Sequence, residues 1–542
     1  MTDGTNPEQT ASESPAEDAV DRHADGGVKY KWLMIFLAVC GVSFVCVGFF
    51  DQLAGAHALL KYFVIVPLAL LLTLIWWSCL SGVRPRQRLI GLGIVGIIGG
   101  SVAACVRDVK FEGDMKPIFV WMWNPDPEAL ARQAKDEHST NEAEIADDLK
   151  LDITPDDWPQ FRNDDREGRD VTVQLDRDFD AHPPEEVWRI KVGLGWSSFA
   201  IVDDLCWTQE QVFDEELVVC YELETGQQVW SHADDARWSE TMGGDGPRAT
   251  PTIHEDRCYT QGATGILNCL NALTGEVIWS TNILEDAEAD NISWAMAASP
   301  LIYEDKVIVN PGGKNGKGVI AYDKLTGEII WAKGDHPASY AGLHLTEMHG
   351  EPQLVLFDGD GVAGIDPEDG TEHWRYEWTN GPQVNAVQPI ILGYQVMISS
   401  GYNVGSGLLN VTRDEDGWSV EPEWITKNRF RLKFSDGVFK DGFVYGLDEN
   451  LMSCIEFQTG KRQWRARSNT GYGQLILLGD LLTIITEQGD LVFAEATPEE
   501  WKELFRMPAL PGKTWNNPAY ARGYLLLRND QEAVCYRLKL AD

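Results

Sequence analysis

The side chains best suited to bind a ligand form a scattered set of aromatic, cationic and amide residues. They are Trp196 with Ser197, Asp245 and Arg248 in Gly243-Gly244-Asp245-Gly246-Pro247-Arg248, Trp294, His344, Asn385, Lys433, and Asn516 with Asn517. Brought together, indole faces and fixed cations would suit a planar or anionic ligand. Each residue could equally cap a strand or fix a loop, and Asp245 beside Arg248 could be a loop ion pair. No catalytic residue can be named. His344 and His349 flank Thr346-Glu347 without metal-ligand spacing, and no Cys/His cluster has zinc spacing, so no metal site is expected. Gly-x-Ser-x-Gly does not occur. Gly312-Gly313-Lys314 shares three letters with a phosphate loop, but no helix follows, and it reads as a hairpin turn.

The elements that would position these residues announce themselves through tryptophan. Trp188, Trp230, Trp279, Trp331, Trp374, Trp424, Trp464 and Trp501 are spaced by 42, 49, 52, 43, 50, 40 and 37 residues. The clearest copies of the repeat are Leu273-Thr274-Gly275-Glu276-Val277-Ile278-Trp279 and Leu325-Thr326-Gly327-Glu328-Ile329-Ile330-Trp331. A period of this size built from short strands predicts an all-β propeller. Opening strands near Ser197, Ala249, Ala297, Leu343, Val387, Phe434, Gln474 and Asn517 predict eight blades. Seven remain open if the stretch around Trp424, which lacks the Thr-Gly turn, is an insertion. The last blade has no following Trp strand, so the strand around Glu186–Ile190 is expected to complete it and leave no free edge.

The Leu-Thr-Gly-Glu-x-x-Trp copies, with the opening Asp157-Trp158-Pro159-Gln160-Phe161-Arg162, resemble the PQQ-like β-propeller repeat proteins, the quinoprotein alcohol dehydrogenase-like superfamily. The same repeat builds the propeller lipoprotein of the outer-membrane β-barrel assembly machinery. The resemblance covers about residues 157 to 540. It implies two activities. One is a ligand- or protein-binding scaffold of the cell envelope. The other is a PQQ-dependent dehydrogenase of alcohols or sugars that uses PQQ with calcium and feeds electrons to a membrane quinone or cytochrome. The family's enzymes often carry a disulfide between adjacent cysteines, and no two cysteines are adjacent here. Their active-site motifs do not map onto this chain residue by residue, so a scaffold is the expectation and no cofactor is assigned.

Composition narrows the setting. Against 45 basic side chains stand 84 acidic ones, a formal charge of -39. Such a surface repels nucleic acid and excludes phosphate-backbone binding as a function class. Three apolar runs, 32–50, 62–80 and 89–106, each approach the ~20 residues that span a bilayer as a helix. Lys29 and Lys31 before the first run, and Arg84, Arg86 and Arg88 between the second and third, predict a cytoplasmic N-terminus. The propeller then lies on the periplasmic side of a bacterial inner membrane, where an envelope protein is the natural partner. The expected order is a disordered tail (1–28), three transmembrane helices (29–106), an acidic connector (107–156) and an eight-bladed propeller (157–542). The connector's composition suits a solvated stalk, with a short helix around 128–135.

Cys258 and Cys269 flank a turn at Gly262-Ala263-Thr264-Gly265, and symmetric pairing about it would place them opposite each other; Cys206 and Cys220 stand similarly one repeat earlier. Cross-strand disulfides or buried free thiols are both open. Deleting residues 1 to 110 is expected to release a soluble, folded domain, judged by a cooperative thermal transition and a monomeric gel-filtration profile. Aggregation under non-denaturing conditions would count against an independent propeller.

Overall fold

The computed structural model describes residues 34, 35, 37, 38, 41, 64–80, 84–139, 150–427, 429–467 and 470–541. The expected tail, 1–28, and most of the first apolar run lie outside the described residues. The chain divides into two compact units, Met1–Val109 with Met115–Met122, and Lys110–Asp114 with Trp123–Asp542.

In the first unit the helix Val66–Ile75 continues as the π-helical turn Trp76–Leu80, and a second helix runs Pro85–Cys105. Gly91 lets the second helix approach the first, since a Cβ there would lie 2.8 Å from the Trp77 ring. Among the described residues Pro85–Cys105 is the one helix long and apolar enough to cross a membrane, and Val66–Cys79 is a shorter apolar helix.

The second unit is a ring of eight sheets, each built on four antiparallel strands that run in chain order from inner to outer, except that an earlier strand supplies the outer edge of the last. The inner strands are Ala200–Val202, Thr252–His254, Leu301–Tyr303, His344–Met348, Ile390–Leu392, Val438–Lys440, Gln474–Leu478 and Ala519–Ala521, opening blades 1 to 8. The Trp424 stretch belongs to a full fifth blade, whose outer strand is Gly417–Lys427, so the seven-blade count falls. Blade 8 is completed by Glu185–Lys191, which pairs antiparallel with Glu532–Arg537. Arg528 reinforces this closure by donating to Thr208 Oγ1 (2.6 Å), the Gln209 carbonyl (2.9 Å) and the Gly193 carbonyl (3.1 Å).

Apolar side chains gather in the seams between neighbouring sheets, and the largest cluster joins blades 7, 8 and 1, where the two ends of the chain meet. The repeat's tryptophan makes most of these seams. The Trp188 indole donates to the Leu223 carbonyl (2.7 Å), Trp230 to Ala272 (3.0 Å), Trp279 to Lys324 (3.1 Å), Trp331 to Pro367 (3.2 Å) and Trp424 to Phe457 (3.0 Å), in each case in the next blade. The ring then lies against the turn glycine of that blade: Gly226 on Trp188, Gly275 on Trp230, Gly327 on Trp279. Those glycines sit at φ near +70°, where a side chain is strained, and a Cβ would also meet the indole. Two members depart from the pattern. Trp374 bonds Gln353 Oε1 of its own blade (2.8 Å). Trp501 precedes its outer strand, Glu503–Pro508, and packs on Trp464 with ring centroids 5.7 Å apart.

The cysteines do not face each other. Cys258 pairs with Leu270 and Tyr259 with Cys269; Cys206 pairs with Tyr221 and Trp207 with Cys220. Each hairpin register is one residue off the symmetric one, which turns the two thiols of a pair to opposite faces of the sheet. All eight described cysteines are free.

The connector is not a free stalk where it is described. Helix Pro127–Ser139 buries Ala131 and Ala134 and packs on blades 8 and 1. Glu128 pairs with Arg237 (2.7 Å) and accepts the Phe213 amide (3.2 Å), while Arg132 lies 4.5 Å from the centroid of the Phe213 ring. Small alanines spaced three apart give an otherwise polar helix one face that seats closely.

The seam yields a paired prediction. Gly327→Ala is expected to destabilise the chain by about 2–3 kcal/mol, combining left-handed backbone strain with overlap on Trp279. Gly316→Ala, at φ +79° but with open space around it, should carry the backbone cost alone, about 1 kcal/mol. Urea unfolding of both variants measures the difference.

Candidate functional site

Every inner strand is entered by a loop on the same face of the ring, and these entry loops carry the aromatic and cationic residues. Trp196, Arg248, Tyr340, Phe434 and Trp515 each stand four residues before the inner strand of their blade. Equivalent places in a rotationally repeated fold converge on the axis. The Trp196 and Trp515 ring centroids are 5.1 Å apart, Trp515 and Phe434 5.0 Å, and Phe434 and Tyr472 5.4 Å. On the other side Trp294 lies 5.6 Å from Tyr340, whose hydroxyl accepts the Trp294 amide (3.2 Å).

Two lysines sit on these rings. Lys433 Nζ lies 5.1 Å from the Tyr472 centroid, 5.3 Å from Tyr402 and 5.8 Å from Phe434. Lys513 Nζ lies 3.8 Å from Trp515 and 4.7 Å from Trp196. Burial pushes the Lys513 ammonium down to about 8, and lowers Lys433 against the opposing pull of Glu449 and Glu487. Facing them, Glu487 accepts from Trp515 Nε1 (2.9 Å) and the Tyr472 amide (3.2 Å), and Glu449 accepts the Tyr472 hydroxyl (2.8 Å). Burial raises the Glu487 carboxyl despite those donors.

The remaining residues named from sequence fall in different places. Arg248 spends its guanidinium on its own loop, on the carbonyls of Gly246 (2.6 Å) and Gly244 (2.9 Å), rather than on Asp245. It thereby shapes the loop under Trp196, whose ring Gly244 touches. Asn516 is buried and donates to the Ser197 carbonyl (2.8 Å), and Asn517 accepts from Ser198 Oγ through its own carbonyl (2.7 Å). Both are fasteners between blades 8 and 1, although the Asn517 Oδ1 atom is buried without a partner. Asn385 is wholly buried and bonds the carbonyls of Asp358 (2.7 Å) and Trp378 (3.1 Å). Sequence reasoning missed Tyr340, Tyr402, Phe434, Tyr472, Lys513 and Trp515. The position four residues before each inner strand is a signal that would have found three of them.

From the opposite mouth the chain itself fills the channel up to the entry ends of the inner strands. Residues 154–170, which include the Asp157–Arg162 opening, enter past the turns of blades 8 and 1. Asp157 pairs there with Arg522 (2.9 Å) and accepts the Asp203 amide (3.1 Å). Arg162 donates to the carbonyls of Gly437 (2.8 Å) and Leu475 (3.1 Å), in blades 6 and 7. Arg166 donates to Pro300 (2.5 Å), Leu343 (2.9 Å) and Ser299 (3.2 Å), in blades 3 and 4. Two arginines four residues apart that reach opposite sides of the ring must stand on its axis. Burial lowers Arg166 to about 9, and the carbonyl dipoles alone hold its charge, with no carboxylate within 4 Å. Residues Arg169–Asp170 then leave as a parallel strand on Gln474–Leu478. His344 belongs to this buried zone and not to the entry-loop funnel.

A family model described as outer membrane protein assembly factor BamB matches residues 214–464. No curated protein matches the chain in sequence. Among solved structures the chain is similar to BamB from Moraxella catarrhalis, at 14% identity over 65% of this chain and 99% of that one, with a TM-score of 0.49. It is also similar to a quinohemoprotein alcohol dehydrogenase from Comamonas testosteroni, at 13% identity over 76% and 84%, with a TM-score of 0.50. At these identities the likeness is one of fold. The eight-bladed ring makes this chain a β-propeller, and its repeat motif, with a family model that matches a little under half of the chain, makes it similar to the PQQ-like repeat proteins.

The funnel does not fit a calcium-bound quinone. Glu487 and Glu449, the carboxylates beside the aromatic rings, already accept from Trp515 and Tyr472. Lys433 and Lys513 stand among them, so a divalent cation would meet two ammonium groups.

His344 supplies a pH test. Burial, and then the charges of Arg166, Arg162 and Arg169, push its imidazole down to about 4. With the folded value below the ordinary one, the neutral ring is favoured on folding. That contribution is complete above pH 6.5 and is lost as pH falls from 6.5 toward 4. The thermal midpoint of the wild type should fall between pH 6.5 and 5, and His344→Gln should flatten that slope.

Proposed function

We propose that this chain is a membrane-anchored, extracytoplasmic β-propeller that acts as a binding scaffold of the cell envelope, with the entry-loop funnel as its docking site. The observation that carries the reading is the ring of Trp196, Trp294, Tyr340, Phe434, Tyr472 and Trp515 around two lysines whose ammonium groups rest on aromatic faces. Large rigid rings with partly buried cations supply contact area at low entropic cost, which is the chemistry of a protein hot spot. A rigid ring holds its loops in fixed relation, so recognition needs no internal motion.

Anchoring rests on the helix Pro85–Cys105 and on the apolar runs 32–50 and 62–80, read as three transmembrane helices. The basic cluster Arg84, Arg86 and Arg88 supports a cytoplasmic N-terminus and a periplasmic propeller. The family model's description as an outer-membrane assembly factor supports an envelope protein as partner.

The test uses the full chain. A photoreactive phenylalanine analogue in place of Trp294 is expected to give one discrete crosslinked envelope protein in cells, and the same analogue at exposed Val187 none. In detergent, PQQ with Ca²⁺ is expected to give neither saturable tryptophan quenching nor dye-linked oxidation of alcohols or aldoses. Ca²⁺-dependent binding with turnover would overturn the scaffold reading in favour of a dehydrogenase.

A further inference from the structure

One polypeptide segment is already seated in the funnel. The backbone of Gly113 is read in both directions: its amide donates to Glu487 Oε1 (2.7 Å), and its carbonyl accepts from Lys433 Nζ (2.6 Å). A buried acid and a buried base from adjacent blades thus bind the donor and acceptor of a single residue, which is recognition of a peptide group rather than of a side chain. The fit requires glycine for space, since a Cβ on Gly113 would overlap the Tyr472 ring. Three residues upstream, Lys110 Nζ pairs with Asp530 (3.0 Å), in the loop of blade 8 on the same face.

The receptor side stands without this segment. Glu487 keeps Trp515 Nε1 and the Tyr472 amide, Lys433 keeps three aromatic faces, and Tyr472 keeps Glu449. The aromatic cradle is therefore built by the ring, and the segment is its occupant.

We propose that the funnel is a receptor for a glycine-centred polypeptide turn, and that Lys110–Asp114 is its resident, displaceable occupant. This deepens the scaffold reading and rests on it. A partner docks by presenting a turn of the same chemistry, a glycine whose amide and carbonyl are both free, with a basic residue three positions before it. To do so it must evict the chain's own strap. Occupancy in cis lowers the apparent affinity for any partner by the fraction of time the strap is out.

The experiment is a binding titration of the full chain in detergent with the acetylated, amidated peptide Lys-Phe-Glu-Gly-Asp-Met-Lys, the sequence of residues 110–116. Trp515 fluorescence is the readout. Gly113→Val should vacate the funnel and bind the peptide at least about tenfold more tightly than the wild type. A peptide with valine for glycine should bind neither protein, and adding Glu487→Gln to Gly113→Val should abolish binding. Lys110→Met removes the Asp530 pair without adding bulk, and should give a smaller gain in the same direction even if Gly113→Val fails to fold. Equal affinity in all proteins, or no binding to either strap variant, overturns the proposal. Crosslinking from position 294 that persists in that case leaves the scaffold reading standing and sinks only the strap.

Discussion

Everything in the ring depends on one repeated contact, a tryptophan of an outer strand seated on the turn glycine of the next blade. It joins three requirements in one place. The indole supplies the apolar area that a seam between two sheets needs, and its N–H finds a carbonyl at the end of the neighbour's third strand. The glycine supplies both a left-handed turn and a flat floor for the ring. Because the contact always reaches forward, it works only if the last blade has a successor. Blade 8 finds it in blade 1, through Trp188 on the strand borrowed from the N-terminal side. The closure is thus the same interaction as the other seams, applied once across the two ends of the chain.

This is why the architecture was legible from sequence and the sites were less so. A residue that repeats because each seam needs it leaves a period, and the eight blades with their closing strand could be counted from it. Trp374 and Trp501 share the period but not the contact, since the glycine turn is displaced in one case and the tryptophan lies outside the strand in the other. The cysteine register was lost by a single residue, a distinction that turn geometry decides and composition does not. The axial role of Arg162 and Arg166 left no mark, although Arg162 closes the Asp157–Arg162 opening motif. Most of their partners are backbone carbonyls, which every residue carries, so little in the side-chain pattern points to them. The connector misled for a related reason. A polar, acidic stretch reads as solvated, yet Ala131, Ala134 and Gly113 let it sit close, because small residues make close contact without raising hydrophobicity.

Charge is divided along the same lines. The surface is strongly acidic, while the ring's axis and its closing seam hold arginines, Arg162, Arg166 and Arg528, almost wholly removed from water. Arg162 has Asp436 at 3.6 Å, but Arg166 has only carbonyls. A guanidinium suits this task because its planar fork can satisfy three carbonyls at once and it keeps its proton even when burial depresses its affinity for it. Inner strands at the centre of a propeller are short, and the carbonyls at their entry ends have no neighbouring strand to bond. The arginines supply the missing donors, so the plug completes the hydrogen bonding of the ring's inner wall as well as filling it.

The two mouths of the channel are therefore held by opposite kinds of contact. At one, residues 154–170 bond inner strands on both sides of the ring, add a parallel strand to blade 7 and bury two cations; removing them would leave carbonyls unsatisfied in several blades at once. At the other, Glu487, Lys433 and Asp530 receive Gly113 and Lys110 of the strap, and Glu487 and Lys433 keep their other partners. The free-energy cost of opening scales with the number of buried groups left without partners, and for the plug those groups lie in several blades. The second mouth is where the repeated entry-loop position brings the aromatic rings and lysines together, on a receptor whose side chains are held by the ring itself.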